Sequence, residues 1–351
     1  MKPFFSFQWH ITDECDQRCR HCYIFSVGEG VVLKRMGLEQ MRHVLDSCVE
    51  MCDALGRTPY FYITGGDPIL NPDFWSLLEM LHGRDIQFAI MGNPFHLTPE
   101  VCARMRALGC QKYQVSIDGL KEMHDHIRMP GSYDATMRAI RIIHDSGIRC
   151  AVMTTVSRAN ADQMPSIIDA VVESGADIFA FARYCPEGGD FGGDPLTPEE
   201  YRQVLEACWS KYQEHGNCGT AFNLKDHLWT PFLYEKGLFR IGDFPDDALV
   251  YDGCNCGANH LTILPDGDVY ACRRMDSKVG NVFEMSMRDI FLGDAEESYR
   301  EIRLLEKCSR CRLLRFCRGC PAVAEATNGD RLSADPQCWV DVESDMYRAE
   351  A

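Results

Sequence analysis

The sequence predicts an α/β protein: a partial (β/α)6 barrel of the TIM type, followed by a small cysteine-rich domain with a β-hairpin and short helices. Six strand-like segments alternate with helix-like segments over residues 5–183. Several of these strands are almost continuously apolar, as parallel strands covered by helices usually are. From about residue 251 the elements become short and dense in cysteine. An open doubly wound sheet is the alternative arrangement of the same βα units.

Local signals support the individual elements of the barrel. Pro99 after Thr98, and Pro198 after Thr197, are N-cap and first-turn signals for two helices. Apolar runs predict the six strands Phe5–Ile11, Tyr60–Thr64, Ile86–Met91, Tyr113–Ile117, Ile148–Val156 and Asp177–Arg183.

Polar and apolar residues alternate in the first strand, with Ser6, Gln8 and His10 forming the polar set. In a barrel wide enough to hold a ligand, the polar set would face the cavity and the apolar set the helices. His10 is therefore a candidate cavity residue, with a partly exposed strand position as the alternative.

Changes in composition divide the chain into three parts. We expect the barrel over residues 1–190, a helical bridging region over 191–250 and the cysteine-rich domain over 251–351. A glycine-rich stretch at 188–193 marks the end of the barrel. In the last part, strand candidates flank the Pro-Asp-Gly-Asp sequence at 265–268, which predicts a hairpin.

The charge balance excludes some partners. The net charge of −16 repels phosphate backbones and anionic lipid, so we expect neither nucleic acid nor membrane as a partner. The chain has no apolar run of membrane-spanning length and no signal peptide at its N-terminus, so the predicted location is the cytoplasm.

Nineteen cysteines are the unusual feature of this composition. In the reducing cytosol, clustered cysteines indicate metal ligands or catalytic groups rather than disulfides. Cys15, Cys19 and Cys22 place three thiols in eight residues directly after the first strand. Such a set suits a 4Fe–4S cluster with one open iron; a zinc site completed by a distant ligand is the alternative.

The Cys-x3-Cys-x2-Cys spacing after the first strand of a βα barrel resembles the signature of the radical SAM superfamily. The resemblance implies that the open iron binds S-adenosylmethionine (SAM), which is cleaved reductively to a 5′-deoxyadenosyl radical. In that family an aromatic residue near the adenine precedes the third cysteine; here His21 occupies the position and Tyr23 follows.

Further motifs extend the resemblance over residues 5–185. Gly65, Gly66 and Asp67 resemble the Gly-Gly-Glu motif that holds the SAM amino group, with an acid shorter by one methylene. Ser116 matches a family serine that contacts SAM, and Arg128 matches an arginine that meets the SAM carboxylate. Asn93 is a SAM-pocket candidate by position only.

Eight cysteines between residues 254 and 338 resemble the SPASM domain, which carries two auxiliary 4Fe–4S clusters. The resemblance assigns Cys254, Cys256, Cys272 and Cys320 to the first auxiliary cluster. It assigns the second to Cys308, Cys311, Cys317 and Cys338, for three clusters in total. The close spacings of 254 to 256 and of 317 to 320 depart from the family pattern. From the spacing alone, two zinc ribbons fit the same count.

A basic pair follows Cys272, at the place where sulfatase maturases of this family carry a catalytic aspartate. Arg273 cannot take up a proton, so oxidation of a sulfatase residue is disfavoured. Arg273 and Arg274 would instead bind an acidic substrate segment or lie solvated on the surface. Most of the scattered cysteines are interpreted as buried structural residues, but Cys185 lies near the expected barrel mouth.

The resemblance implies a radical SAM enzyme that modifies a ribosomally made precursor peptide through thioether, carbon–carbon or oxidative linkages. The alternatives are a radical SAM enzyme acting on a small molecule in cofactor synthesis, and a zinc-binding scaffold without turnover. Expected partners are the precursor peptide and a reductant of the flavodoxin or ferredoxin type. Because the first cluster cysteine is residue 15, the leader is expected to bind a separate small protein or the enzyme surface. The negative charge favours a basic leader.

Overall fold

A computed structural model describes residues 2–25, 32–186, 195–242 and 250–349, and the glycine-rich stretch at 188–193 lies outside these ranges. Within them, ten strands form one sheet in the order β10-β9-β8-β1-β2-β3-β4-β5-β6-β7. The strands are β1 Phe4–His10, β2 Thr58–Thr64, β3 Phe88–Met91, β4 Cys110–Ser116, β5 Arg149–Val156, β6 Ile178–Arg183, β7 Ala221–Asn223, β8 His260–Ile263, β9 Asp268–Tyr270 and β10 Lys278–Asn281.

The described α-helices comprise seven that lie between the parallel strands β1 to β7 in the chain, followed by others after β7. They are α1 Leu38–Ala54, α2 Phe74–Gly83, α3 Pro99–Ala107, α4 Lys121–Ile127, α5 Ser132–Asp145, α6 Met164–Ser174, α7 Pro198–Glu214, α8 Trp229–Glu235, α9 Met287–Leu292, α10 Asp294–Glu297 and α11 Pro321–Asn328. Both predicted N-caps form, since Thr98 accepts from the Val101 amide and Thr197 accepts from the Glu200 amide. No described helix is long and apolar enough to cross a membrane.

The predicted α/β fold class is confirmed. Strands β1 to β7 are parallel and follow one another in chain order, without the reversal of order that defines a doubly wound sheet. The arrangement is therefore barrel-like.

Two pairings were not predicted. The region expected to be a helical bridge supplies β7, which pairs with β6, and β8 of the cysteine-rich region pairs with β1. Strand β7 is only three residues long, and the pairing of β8 joins segments about 250 residues apart. Neither property leaves a local pattern in the sequence.

Alternation along β1 separates the two faces of the sheet. Phe5, Phe7 and Trp9 are fully buried in the core with the surrounding helices, while Gln8 and His10 lie on the concave face. The ring of His10 is buried 5.9 Å from that of Tyr23, and its Nε2 lies 3.1 Å from Gln8 Nε2. Burial, with a contribution from the positive charge of Arg273, lowers the pKa of His10 well below its usual value. His10 is thus a neutral cavity residue.

A buried ion-pair network joins the barrel to the C-terminal region. Arg183, at the end of β6, donates from Nε to Asp226 at 2.9 Å. Its two terminal nitrogens donate to Asp335 at 2.7 and 2.9 Å, and Nη1 also donates to Gln337 at 3.1 Å. All four side chains are buried. The network ties together three segments that are distant in the sequence.

Replacing Glu296 with glutamine is expected to stabilise the protein at alkaline pH. This α10 carboxyl is fully buried, and burial raises its pKa from 4.5 to about 8. Since the folded-state pKa is above the unfolded one, ionisation penalises the folded state increasingly from pH 4.5 up to pH 8. The variant should gain on the order of 2–4 kcal/mol in unfolding free energy at pH 8 and little at pH 5. A uniform gain at all pH values, or an equal gain from the exposed control Glu50→Gln, would contradict this account.

Candidate active site

Three thiols lie together on the loop that follows β1. Cys15, Cys19 and Cys22 are half-buried, and the Cys22 amide donates to the Cys19 carbonyl at 3.0 Å. Burial raises the pKa of each thiol, and each also feels the charge of another of the three. A set of three soft thiolate ligands from one loop fits the predicted iron–sulfur cluster.

Two glycines allow the loop after β2 to pack directly on the cysteine loop. A Cβ atom on Gly65, whose φ is +141°, would lie 2.0 Å from the Thr12 carbonyl oxygen, and one on Gly66 would lie 2.1 Å from that of Glu14. The Gly66 amide donates to Thr12 at 2.8 Å. The close backbone approach that these glycines make in the structure is therefore to the cysteine loop, and their contact with SAM stays a prediction.

Asp67 is the most unusual carboxyl group of this region. It is fully buried beside the cysteine loop, and neither carboxylate oxygen has a hydrogen-bond donor in satisfactory geometry among the described residues. Burial raises its pKa to about 7. A buried acceptor without a donor is costly, so this position fits a ligand that brings N–H groups, as the SAM amino group does.

Arg128 follows α4 and points at the cysteine loop. Its Nε donates to Asp118 at 2.6 Å, and its Nη1 lies 3.7 Å from Cys19 Sγ. Burial alone would lower the pKa of Arg128, but Asp118 raises it above its usual value. His21 Nε2 lies 3.5 Å from the same Asp118 oxygen, and burial lowers the pKa of this histidine to about 4.

Asp118 is a buried charged residue of this site that the sequence analysis did not single out. Its second oxygen accepts from the Thr155 amide at 2.8 Å, so both oxygens are used and Arg128 is held in place. Burial raises the pKa of Asp118, but Arg128, His21 and the Thr155 amide outweigh burial and lower it. The available signal was the position of Asp118 two residues after Ser116, in the sequence Ser-Ile-Asp-Gly at 116–119.

Two other SAM candidates lie at the carboxyl ends of their strands. Asn93, after β3, donates from Nδ2 to Cys15 Sγ at 3.3 Å, and its carbonyl accepts from the Tyr113 hydroxyl. Ser116 is half-buried at the last position of β4, beside Met153 of β5. The structure thus brings every predicted SAM residue to the edge of the sheet that carries the cysteine loop.

The four cysteines assigned to the second auxiliary cluster line one cavity. Its empty volume is about 330 Å³, and its walls include Cys308, Cys311, Cys317 and Cys338. Lys307 closes one side by donating from Nζ to the Cys338 carbonyl at 2.8 Å. This convergence fits a cluster with four thiolate ligands.

Five thiols lie together at the first auxiliary site: the four assigned from the sequence and Cys185. Cys256 is in hydrogen-bond contact with both Cys254 and Cys272. Cys320 is in the same kind of contact with Cys185, which follows β6 and is 8% exposed. Cys185 is therefore part of this cysteine group, unlike the structural cysteines of the helices.

The two arginines after Cys272 have separate places, although the sequence treats them as a pair. Arg274 donates from Nη1 to the Arg183 carbonyl at 3.1 Å and from Nη2 to Cys320 Sγ at 3.3 Å. Arg273 stacks on Tyr23 of the cysteine loop, with its guanidinium carbon 4.2 Å from the ring centre. Neither is a solvated surface residue, and only Arg273 reaches the predicted SAM site.

Comparison with known families matches two parts of the chain. Residues 9–171 match the model of the radical SAM superfamily, and residues 254–321 match that of SPASM, an iron–sulfur cluster-binding domain. The first match contains Cys15, Cys19 and Cys22. The second contains seven of the eight C-terminal cysteines and ends before Cys338.

Similar proteins and structures extend over most of the chain. An AdoMet-dependent heme synthase of Methanosarcina barkeri is 26% identical over 342 residues, covering 94% of this chain and 95% of that protein. Mycofactocin maturase MftC of Mycolicibacterium smegmatis is 28% identical over 351 residues, covering 94% and 81%. The structure of Streptococcus suis SuiB with S-adenosylmethionine aligns with a TM-score of 0.74 at 18% identity, covering 97% of this chain and 78% of SuiB. The native anSMEcpe structure with AdoMet gives 0.72 at 20%, covering 95% and 94%. These structures share the fold of this chain.

Proposed function

This chain is an enzyme of the radical SAM superfamily with a C-terminal SPASM domain, and from that premise we propose that it modifies a precursor peptide by SAM-dependent radical chemistry. The observation that carries the proposal is the meeting of three thiols, a fixed guanidinium and the buried Asp67 carboxyl, which has no well-aligned donor among the described residues, at one edge of the barrel.

Each residue of this edge has a proposed task. Cys15, Cys19 and Cys22 would hold the cluster, and Asp67 would accept from the SAM amino group. Arg128, oriented by Asp118, would meet the SAM carboxylate, while Gly65, Gly66, Asn93, Ser116, His21 and Tyr23 line the pocket. When bound, the reduced cluster supplies the electron that cleaves the sulfonium of SAM. The C-terminal cysteines would hold two further 4Fe–4S clusters.

Replacing Asp67 with asparagine, or Arg128 with lysine, is expected to weaken SAM binding about tenfold. Asp67→Asn removes the charge-assisted contact with the SAM amino group, and Arg128→Lys removes the bidentate contact with the SAM carboxylate. Asp67→Asn keeps the size of the side chain, and Arg128→Lys keeps the charge that faces Asp118. The measurement is SAM affinity of the anaerobically reconstituted enzyme, with the exposed Asp46→Asn as the matched control. Unchanged affinity in both variants would refute these roles, whereas iron content should stay the same in all three.

Two observations support a peptide as substrate. The barrel is open along its side, because β7 and β10 are the edges of the described sheet, and an open side admits an extended chain. The relatives include a maturase, and the SuiB fold binds the precursor peptide SuiA. We further propose a cytoplasmic enzyme, a flavodoxin- or ferredoxin-type reductant, and leader binding either to a separate small protein or to the surface of the barrel and SPASM domain.

A carboxylated porphyrin is the second candidate substrate. The heme synthases and the Fe-coproporphyrin III synthase align with 94% or more of this chain. The deciding experiment incubates reconstituted enzyme, reductant and SAM with peptides encoded beside the gene, and in parallel with Fe-coproporphyrin III. A mass change in a peptide supports the proposal. A mass change in the porphyrin and in none of the peptides would identify the porphyrin as the substrate.

A further inference from the structure

The concave face of the barrel carries cations, although the protein as a whole is acidic. Tyr113 and Val115 of β4 are buried on the outer face of the sheet, against the helices. Because side chains alternate between the two faces of a strand, Lys112 and Gln114 face the lumen. Lys112 Nζ lies 5.1 Å from the ring centre of Tyr62, the inward residue of β2. This contact places the lysine across the floor of the lumen.

Two more cations enter the lumen from other elements. Lys225 follows β7, and its amino group is close enough to Lys112 and Arg274 to feel both charges. Arg273 enters at the mouth, where it stacks on Tyr23. The three cations thus extend from the floor of the barrel to the cysteine loop.

None of these three cations has an ion-pair partner among the described residues. Within residues 2–25, 32–186, 195–242 and 250–349, no carboxylate oxygen lies within 4.0 Å of Lys112, Lys225 or Arg273, although Arg273 is near enough to Asp13 for its charge to oppose the rise that burial causes in the pKa of that carboxyl. Arg273 Nε has no hydrogen-bond acceptor among the same residues. The chain as a whole has 52 acidic and 36 basic residues, so acids were available for pairing. Unpaired cations gathered in one cavity repel one another unless an anion joins them.

The electrostatics of the lysines agree with a missing anion. Enclosure by the cavity walls, and then the charges of Arg274 and Lys112, lower the pKa of Lys225 to about 8, while the Cys272 thiolate acts in the opposite direction. Lys225 nevertheless reaches solvent, as expected for a residue that faces an open cavity. Burial, and then Arg149, lower the pKa of Lys112.

We propose that Lys112, Lys225 and Arg273 form a carboxylate-binding subsite, so that the part of the substrate entering the barrel carries at least two carboxylate groups. One carboxylate would meet Lys112 and Lys225, which feel each other's charge, and a second would meet Arg273 beside Tyr23. This inference rests on the proposed function, because it assumes that the lumen is where the substrate meets SAM. Acidic side chains of a peptide and the carboxylates of a porphyrin both supply this chemistry.

The test measures binding of matched probes to the anaerobically reconstituted enzyme. One pair is a Glu-Gly repeat octapeptide and its Gln-Gly counterpart, and the other is coproporphyrin III and its tetramethyl ester. Within each pair, the ionised side-chain carboxylates are replaced by neutral amides or methyl esters. The variants are Lys112→Gln, Lys225→Gln and Arg273→Gln, with Arg42→Gln on the outside of α1 as the control. Circular dichroism and iron content confirm that each variant is folded.

We expect at least one carboxylate probe to bind fivefold or more tightly than its neutral counterpart. Each lumen variant should reduce that preference at least fivefold, while Arg42→Gln should not change it. The pair that shows the preference identifies the source of the carboxylates. Equal binding of charged and neutral probes, no binding of any carboxylate probe, or full preference in all lumen variants would overturn the proposal. Failure of the proposed function would be seen separately, as the absence of 5′-deoxyadenosine from reactions with reductant and SAM.

Discussion

Replacing Cys15, Cys19 and Cys22 together with alanine is expected to abolish cleavage of SAM and to remove about four of about twelve iron atoms per chain. The three thiols are the soft ligands grouped beside Asp67 and Arg128, so SAM has no iron to bind without them. About eight iron atoms should remain, because the C-terminal cysteines lie in two other sites. The measurements are iron and sulfide content after anaerobic reconstitution, and 5′-deoxyadenosine formation with a strong reductant.

A matched control separates loss of ligands from loss of cysteines. Cys48, Cys52 and Cys102 are fully buried in α1 and α3, among apolar side chains. Changing these three together to alanine should leave iron content and SAM cleavage close to those of the unchanged enzyme. Stoichiometric zinc in place of iron, without broad absorption near 400 nm, would reject the cluster assignment altogether.

Replacing Arg183 with alanine is expected to destabilise the protein by about 3–5 kcal/mol, because it leaves Asp226 and Asp335 buried without their cation. Asp335 also accepts from the Cys320 amide at 2.8 Å, so the same change should loosen the first auxiliary site. The measurement is the free energy of unfolding from denaturant titration of the reconstituted enzyme.

The exposed pair of Arg158 and Glu200 provides the comparison for this prediction. Arg158 makes a similar two-pronged contact with a carboxylate, at 2.6 and 2.8 Å, but both side chains are about 40% exposed. Exposed pairs contribute up to about 1 kcal/mol, so Arg158→Ala should cost far less than Arg183→Ala. Equal losses of unfolding free energy in the two variants would show that burial does not increase the contribution of the Arg183 network to stability.

The strands of the barrel were predictable because each one is a local pattern. The apolar runs located β1, β2, β3, β5 and β6 to within two residues at either end, whereas β4 begins three residues earlier than predicted. The addition of β8 to β1 was not predictable, since it depends on pairing between segments far apart in the chain. The same limit applies to Arg183, whose partners at residues 226 and 335 meet it only in the folded protein.

Residues of the candidate site that belong to sequence motifs could be predicted. Residues whose place in the site depends on contacts in the folded protein could not. The spacing of Cys15, Cys19 and Cys22 indicated the cluster, and the structure places the motif residues beside it. Asp118 was overlooked because its role lies in holding Arg128. After β9, the Arg273 side chain contacts Tyr23 and the Arg274 side chain contacts Cys320. The sequence alone does not show that these neighbouring side chains have different surroundings.

The central claim is that SAM binds at the iron held by Cys15, Cys19 and Cys22. The most direct test is the electron paramagnetic resonance spectrum of the reduced, reconstituted enzyme before and after addition of SAM. We predict that SAM changes the cluster signal of the unchanged enzyme and has no effect on the variant in which these three cysteines are alanine. A spectrum of the unchanged enzyme that is insensitive to SAM, or a SAM-dependent change that persists in the variant, would contradict the account.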